Sequence, residues 1–106
     1  MNERDNFMIE HIVLLKLKEG ITKDKTKAIL DGLNELKKVI PGMLEVSGGY
    51  NNSPEGKSSG FNYAFIVKFK DSASRDGYVP HPEHVKLAQT FVRPIVDDVI
   101  VVDYES

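Results

Sequence analysis

The chain of 106 residues contains no cysteine. Disulfides, thiolate metal sites and cysteine nucleophiles are therefore excluded, and the absence is consistent with the cytoplasmic location that we expect. No apolar run approaches the ~20 residues that a membrane span needs. The first residues, Met1 to Phe7, lack the apolar core of a secretory signal. We therefore expect no membrane partner.

An excess of charge of one sign is also missing. The net charge is -2 and the isoelectric point is about 5.9, whereas a nucleic-acid-binding protein would show a basic patch or stripe. The motifs of phosphate loops, dinucleotide-binding folds, zinc proteases and serine hydrolases do not occur. We expect no nucleic acid partner and no cofactor.

The length and composition are typical of a single globular domain, residues 1–106, of which residues 1–6 are expected to be flexible. Hydrophobic periodicity and turn residues predict strands at about 7–18, 43–50, 61–70 and 99–104, and helices at about 23–40, 72–78 and 83–93. The resulting order, β-α-β-β-α-β, predicts an α+β ferredoxin-like fold, in which helices cover one face of an antiparallel four-stranded sheet.

The second face of the predicted sheet is also apolar. In the first and third strands, its even-numbered positions include Ile12, Leu14, Ala64 and Ile66. A small domain buries a modest fraction of its own surface, so association is a plausible further source of stability. We predict a homodimer in which two chains pack sheet to sheet across a two-fold axis.

The three histidines are the strongest candidates for chemistry, because imidazole titrates near neutral pH. His81 and His84 lie one helical turn apart beside Pro82, and His11 lies within the first strand, on the same face as Tyr63. Each histidine has a structural alternative: His84 as a half-exposed residue of a first helical turn, His81 as a helix cap, and His11 as a buried hydrogen-bonding residue. A three-histidine zinc site would require all three Nε2 atoms to converge. Nothing in the spacing indicates this, and we expect no metal.

Three segments together resemble the stress-responsive dimeric α/β-barrel family. They are His11-Ile-Val-Leu-Leu-Lys-Leu-Lys18, Gly60-Phe-Asn-Tyr-Ala-Phe-Ile-Val-Lys-Phe69 and Tyr78-Val-Pro-His-Pro-Glu-His84. The resemblance extends from about Met8 to Tyr104. It implies a ferredoxin-like protomer and a homodimer whose two sheets form a barrel.

The family includes a plant polyketide cyclase, which closes a linear poly-β-ketone by an aldol condensation without a cofactor. The resemblance implies catalytic roles for His11, Tyr78 and His84. A histidine of the family's third strand corresponds to Tyr63, and this replacement weakens the cyclase assignment.

We therefore expect His84 to act as base or acid and Tyr78 to orient it or to stabilise an enolate oxygen. Tyr63, His81 and Phe65 would line the same pocket. The ligand would be a small apolar carbonyl compound that is bound, cyclised or otherwise transformed. The alternative is a non-enzymatic homodimeric stress-response module with structural histidines. A cavity of ~300 Å³ or more beneath the helices favours the first hypothesis.

Overall fold

A computed structural model describes residues 7–106, which form one four-stranded antiparallel sheet with helices on one face. The elements are β1 (Ile9–Leu17), α1 (Lys23–Leu36), β2 (Met43–Tyr50), β3 (Tyr63–Phe69), α2 (Ser72–Tyr78), α3 (Pro82–Leu87) and β4 (Val96–Glu105). The strand order β2-β3-β1-β4 confirms the ferredoxin-like prediction. The expected flexibility of residues 1–6 concerns residues outside the described part of the chain.

The core lies between the sheet and the helices, as the alternation in the strands predicts. Burial in β3 follows a period of two, with the odd-numbered residues buried and the even-numbered ones only partly covered. The apolar stripe of α1 packs on this face through Ile29, Leu33 and Leu36, which are all buried. Burial of these side chains supplies the main favourable term in folding.

Helix α1 ends at Leu36, four residues earlier than the periodicity predicts. The amides of Lys38 and Val39 bond to carbonyls three residues back, at 3.1 and 3.0 Å, which tightens the chain into turns. Gly42 then takes a positive φ of 82°, where an L side chain would be strained. These turns bring the chain directly into β2.

Helix α3 is shorter than predicted. One α-helical stretch is followed by a π-helical turn at Ala88–Val92 and a 3₁₀ turn at Arg93–Ile95. Pro94 has no amide hydrogen and its ring clashes with a preceding carbonyl, so a regular α-helix cannot continue past this point. Phe91 lies within the π-helical turn and is 41% exposed.

The other face of the sheet, which we call the outer face, contains Ile12, Leu14, Ala64, Ile66, Ile100 and Val102. The strand register joins these residues into one patch, because Ile12 lies between Ile66 and Val102 and Leu14 lies between Ala64 and Ile100. Ile100 and Val102 are 39% and 53% exposed, which is unusual for large apolar side chains that adjoin one another.

None of the helices within residues 7–106 is long and apolar enough to cross a membrane.

Candidate functional site

A cavity of about 570 Å³ lies between the β1–β4 side of the sheet and the segment that runs from α2 through α3. His11, Tyr78 and His84 all line it. Its apolar lining consists of Val13, Leu33, Phe65, Val79, Leu87, Ala88, Val92, Val96, Val99 and Val101. A concave, mostly apolar site with a few polar groups is typical of small-molecule binding, and its volume lies within the usual range for such sites.

Tyr78 is the last residue of α2, and its ring contacts the rings of both His11 and His84. The residue is only 1% exposed. Its ring stacks on that of His84, with centroids 3.9 Å apart, and meets the ring of His11 edge to face at 5.7 Å. Burial raises the pKa of the Tyr78 hydroxyl well above its usual range, so the group stays protonated and can donate a hydrogen bond.

His84 is fixed in one orientation by the backbone. Its Nδ1 lies 3.0 Å from the carbonyl oxygen of Val79. A carbonyl oxygen only accepts hydrogen bonds, so Nδ1 holds the hydrogen, and the Nε2 atom of the neutral ring has a free lone pair. Burial lowers the pKa of His84, and nearby His11 lowers it further, against the opposing effect of the Val79 carbonyl. The neutral ring therefore predominates at pH 7, with an Nε2 atom that is able to accept a proton.

This lowered pKa predicts a pH-dependent stability. Below the ordinary pKa of 6.5, the unfolded chain binds a proton at His84 that the folded chain still resists. The free energy of unfolding should therefore fall as the pH decreases from 6.5 through the lower folded-state pKa. Urea unfolding at a series of pH values would measure this. In His84→Gln that part of the pH dependence should disappear, whereas His81→Gln should retain it. An unchanged profile in His84→Gln would contradict the assignment.

His11 is held by a carboxylate that the sequence analysis did not identify. Its Nδ1 lies 2.8 Å from Oδ1 of Asp103, and Nη1 of Arg75 lies 2.8 Å from Oδ2 of the same residue. Antiparallel pairing of β1 with β4 places His11 directly opposite Asp103. The predicted order of elements and the alternation in the last strand both point to this pairing, so Asp103 could have been identified from the sequence. The position of Arg75, by contrast, depends on how α2 packs against the sheet.

Two residues that we expected in the pocket lie elsewhere. Tyr63 packs edge to face against Tyr50 at 4.9 Å, and it borders a different hollow beside the 51–62 loop. His81 is the N-cap of α3, and its Nδ1 accepts a hydrogen bond from the amide of Glu83 at 3.1 Å. The structure therefore corrects the expected pocket set: Phe65 lines the cavity with His11, Tyr78 and His84, but Tyr63 and His81 do not.

The histidines do not form a metal site. In the part of the chain from residue 7 onward, no three His, Cys, Asp or Glu side chains come together as ligands for a metal ion.

The family model for the stress-responsive A/B barrel domain matches residues 9–106. A stress-response A/B barrel domain-containing protein of Arabidopsis thaliana, HS1, is 28% identical over 92% of this chain and 88% of its own length. Olivetolic acid cyclase of Cannabis sativa is 25% identical over 91% of this chain and 94% of its own length.

A solved structure supports the same relationship. A dimeric ferredoxin-like protein of unknown function from Jannaschia sp. superimposes with a TM-score of 0.73 at 30% identity, covering 93% of this chain and 99% of that one. The family model and the solved structure therefore agree on the fold over nearly the whole length of the chain.

Proposed function

Because the chain belongs to the stress-responsive A/B barrel family, we propose that its cavity binds a small, largely apolar carbonyl compound and transfers a proton at the carbon next to the carbonyl. The observation that supports this most directly is the pairing of His84 with Tyr78 at an apolar cavity. The Val79 carbonyl holds the His84 ring with Nε2 free, and burial raises the pKa of Tyr78 so that its hydroxyl stays protonated.

The proposed reaction uses these two groups together. Nε2 of His84 accepts a proton from the carbon next to the carbonyl, and the C–H electron pair forms the enolate. The negative charge develops on the carbonyl oxygen, which the Tyr78 hydroxyl stabilises by donating a hydrogen bond. Apolar side chains around the site lower the local dielectric constant, which strengthens that hydrogen bond. The enolate can then be reprotonated or attack a second carbonyl.

One of the similar proteins is a cyclase by name: olivetolic acid cyclase aligns with 91% of this chain over 94% of its own length. That name is compatible with a reaction in which an enolate attacks a second carbonyl. Tyr63 lies outside the cavity, so we assign no role in the reaction to it. The proposal accordingly concerns proton transfer next to a carbonyl and leaves the final product open.

Deuterium exchange tests the proposal directly. Benzylacetone is a suitable probe, because it combines an apolar ring with a simple ketone that exchanges slowly by itself. In heavy water, the full chain should accelerate deuterium incorporation next to the carbonyl above the rate in buffer, as followed by proton NMR. No acceleration and no ligand-induced shift of the pocket resonances would refute the proposal and favour a non-enzymatic module.

Tyr78→Phe tests the role of the hydroxyl separately from the role of the ring. The variant keeps the aromatic stack on His84, so we expect folding to be retained. The exchange rate should fall by about a hundredfold to a thousandfold, as expected for the loss of one donor to a developing oxyanion. Tyr50→Phe removes a hydroxyl that contacts Thr26, away from the cavity, and is the matched control. Equal rates in Tyr78→Phe and in the unsubstituted chain would exclude the hydroxyl from the reaction.

The proposal includes a homodimer that buries the outer face. The patch is apolar and continuous, and it is exposed at Ile100 and Val102 and partly exposed at its other positions. The similar protein from Jannaschia sp. is described as dimeric. Pairing two such faces would remove apolar surface from water on both chains.

A further inference from the structure

A connected polar network lies beside the His84–Tyr78 pair and joins three elements. His11 is on β1, Asp103 on β4 and Arg75 on α2. The two oxygens of Asp103 are divided between the others, with Oδ1 at 2.8 Å from Nδ1 of His11 and Oδ2 at 2.8 Å from Nη1 of Arg75. The side chains of His11, Asp103 and Arg75 are 9%, 20% and 24% exposed, so water competes with these contacts only in part.

The imidazole of His11 is confined on its other sides by aromatic rings. Phe69 and Tyr78 meet it edge to face, with centroids at 6.2 and 5.7 Å. Its remaining freedom is the choice of which nitrogen holds the hydrogen, and a hydrogen bond at one nitrogen determines that choice. A carboxylate can only accept, so the contact with Asp103 places the hydrogen on Nδ1 and leaves Nε2 unprotonated in the neutral ring.

The orientation of the Asp103 carboxylate also has to be fixed. The terminal torsion of an aspartate is broad, so Oδ1 is not aimed at His11 by the backbone alone. Arg75 supplies the constraint, because its guanidinium binds Oδ2 through Nη1 while its Nε binds the exposed Asp76 at 2.8 Å. The partly buried Nη1–Oδ2 contact is the one that holds the carboxylate, whereas the contact with Asp76 is exposed to water.

We propose that Arg75 is a positioning residue for His11: by fixing the Asp103 carboxylate, it keeps the His11 imidazole in the tautomer whose Nε2 is free to accept a hydrogen bond or a proton. Use of that Nε2 by a bound carbonyl compound rests on the proposed function. The tautomer is a property of the free protein.

A purely structural role for Arg75 makes a different prediction. The same ion pair also joins α2 to β4, and its loss could lower the melting temperature without affecting His11. The test therefore needs a measurement that reports the tautomer itself, and long-range nitrogen-15 to proton correlation spectra of the histidine rings provide one.

The test compares the full chain with Arg75→Met, which keeps an apolar stem and removes the guanidinium. In the unsubstituted chain, both His11 and His84 should show the pattern of the tautomer with hydrogen on Nδ1, and His81 should show the opposite pattern. In Arg75→Met, His11 should shift towards a mixture of the two tautomers, while His84, which is held by the Val79 carbonyl, should not change.

Asp76→Asn is the matched control, because it weakens only the exposed contact of Arg75. It should leave the His11 pattern unchanged. An unchanged His11 pattern in Arg75→Met, with or without a lower melting temperature, would overturn the positioning role. The spectra need no ligand, so this result is independent of the benzylacetone experiment, and failure of one proposal can be told from failure of the other.

Discussion

Replacing His84 by alanine should lower the rate of benzylacetone exchange by about two to four orders of magnitude, which is the usual contribution of a positioned general base. The physical reason is that the variant removes the Nε2 lone pair from a cavity otherwise lined mainly by apolar side chains. Stability should change little at pH 7, because His84 is only half-buried and Tyr78 keeps its place at the end of α2. The exchange rate and the melting temperature are measured on the same preparations.

His81→Ala is the matched control for this prediction. It removes an imidazole three residues away that lies outside the cavity and caps α3. We expect the exchange rate to be retained and the melting temperature to fall modestly, because loss of an N-cap typically costs about 1 kcal/mol. The opposite pattern, with activity lost in His81→Ala and kept in His84→Ala, would refute the assignment of the base.

Ile66→Lys should convert the proposed homodimer to a monomer. Ile66 lies on β3 within the outer face, opposite Ile12 on β1. Two-fold symmetry would place two added ammonium groups in one apolar interface, where an unpaired buried charge costs several kcal/mol. The dimer dissociation constant should therefore rise by about a hundredfold or more. Sedimentation velocity over a range of protein concentrations would measure the change.

Val39→Lys is the control for added charge. Val39 follows α1, on the helical side of the molecule, and is 56% exposed. The same lysine there should leave the sedimentation profile unaltered. A dimer that survives Ile66→Lys and dissociates in Val39→Lys would place the interface on the helices and refute packing through the outer face.

The fold was predictable because its main signals are local. Alternation in β1 and β3 and the stripe of Ile29, Leu33 and Leu36 in α1 each reflect one buried face of one element. The region after α3 was not predictable to the same extent. Pro94 indicates that a helix must change there, but the π-helical turn and the exposed Phe91 depend on how the chain returns to the sheet.

The site was predictable in part, for a related reason. His11, Tyr78 and His84 were identified from residue type and from the family resemblance, and the structure brings them to one cavity. Tyr63 was misplaced because sharing a face with His11 does not make two residues neighbours. They lie on adjacent strands four paired positions apart, since Tyr63 pairs with Leu15 and His11 pairs with Val67. The role of Arg75 could not be predicted from the sequence, because its contact with Asp103 depends on how α2 packs against the sheet.

Strand β4 belongs to two surfaces at once. Val99, Val101 and Asp103 lie on the side of the cavity, and the alternate residues, Ile100 and Val102, lie on the outer face. A slip of one residue along β1 would exchange the two rows, so that a single inserted or deleted residue within 99–103 would disrupt both surfaces together. The irregularity where Lys16 pairs with Asp98 and Leu17 with Val96 already accommodates one extra residue, Asp97. Length variation among related chains should therefore concentrate at this bulge or in the 51–62 loop, and the stretch from 99 to 103 should keep a constant length.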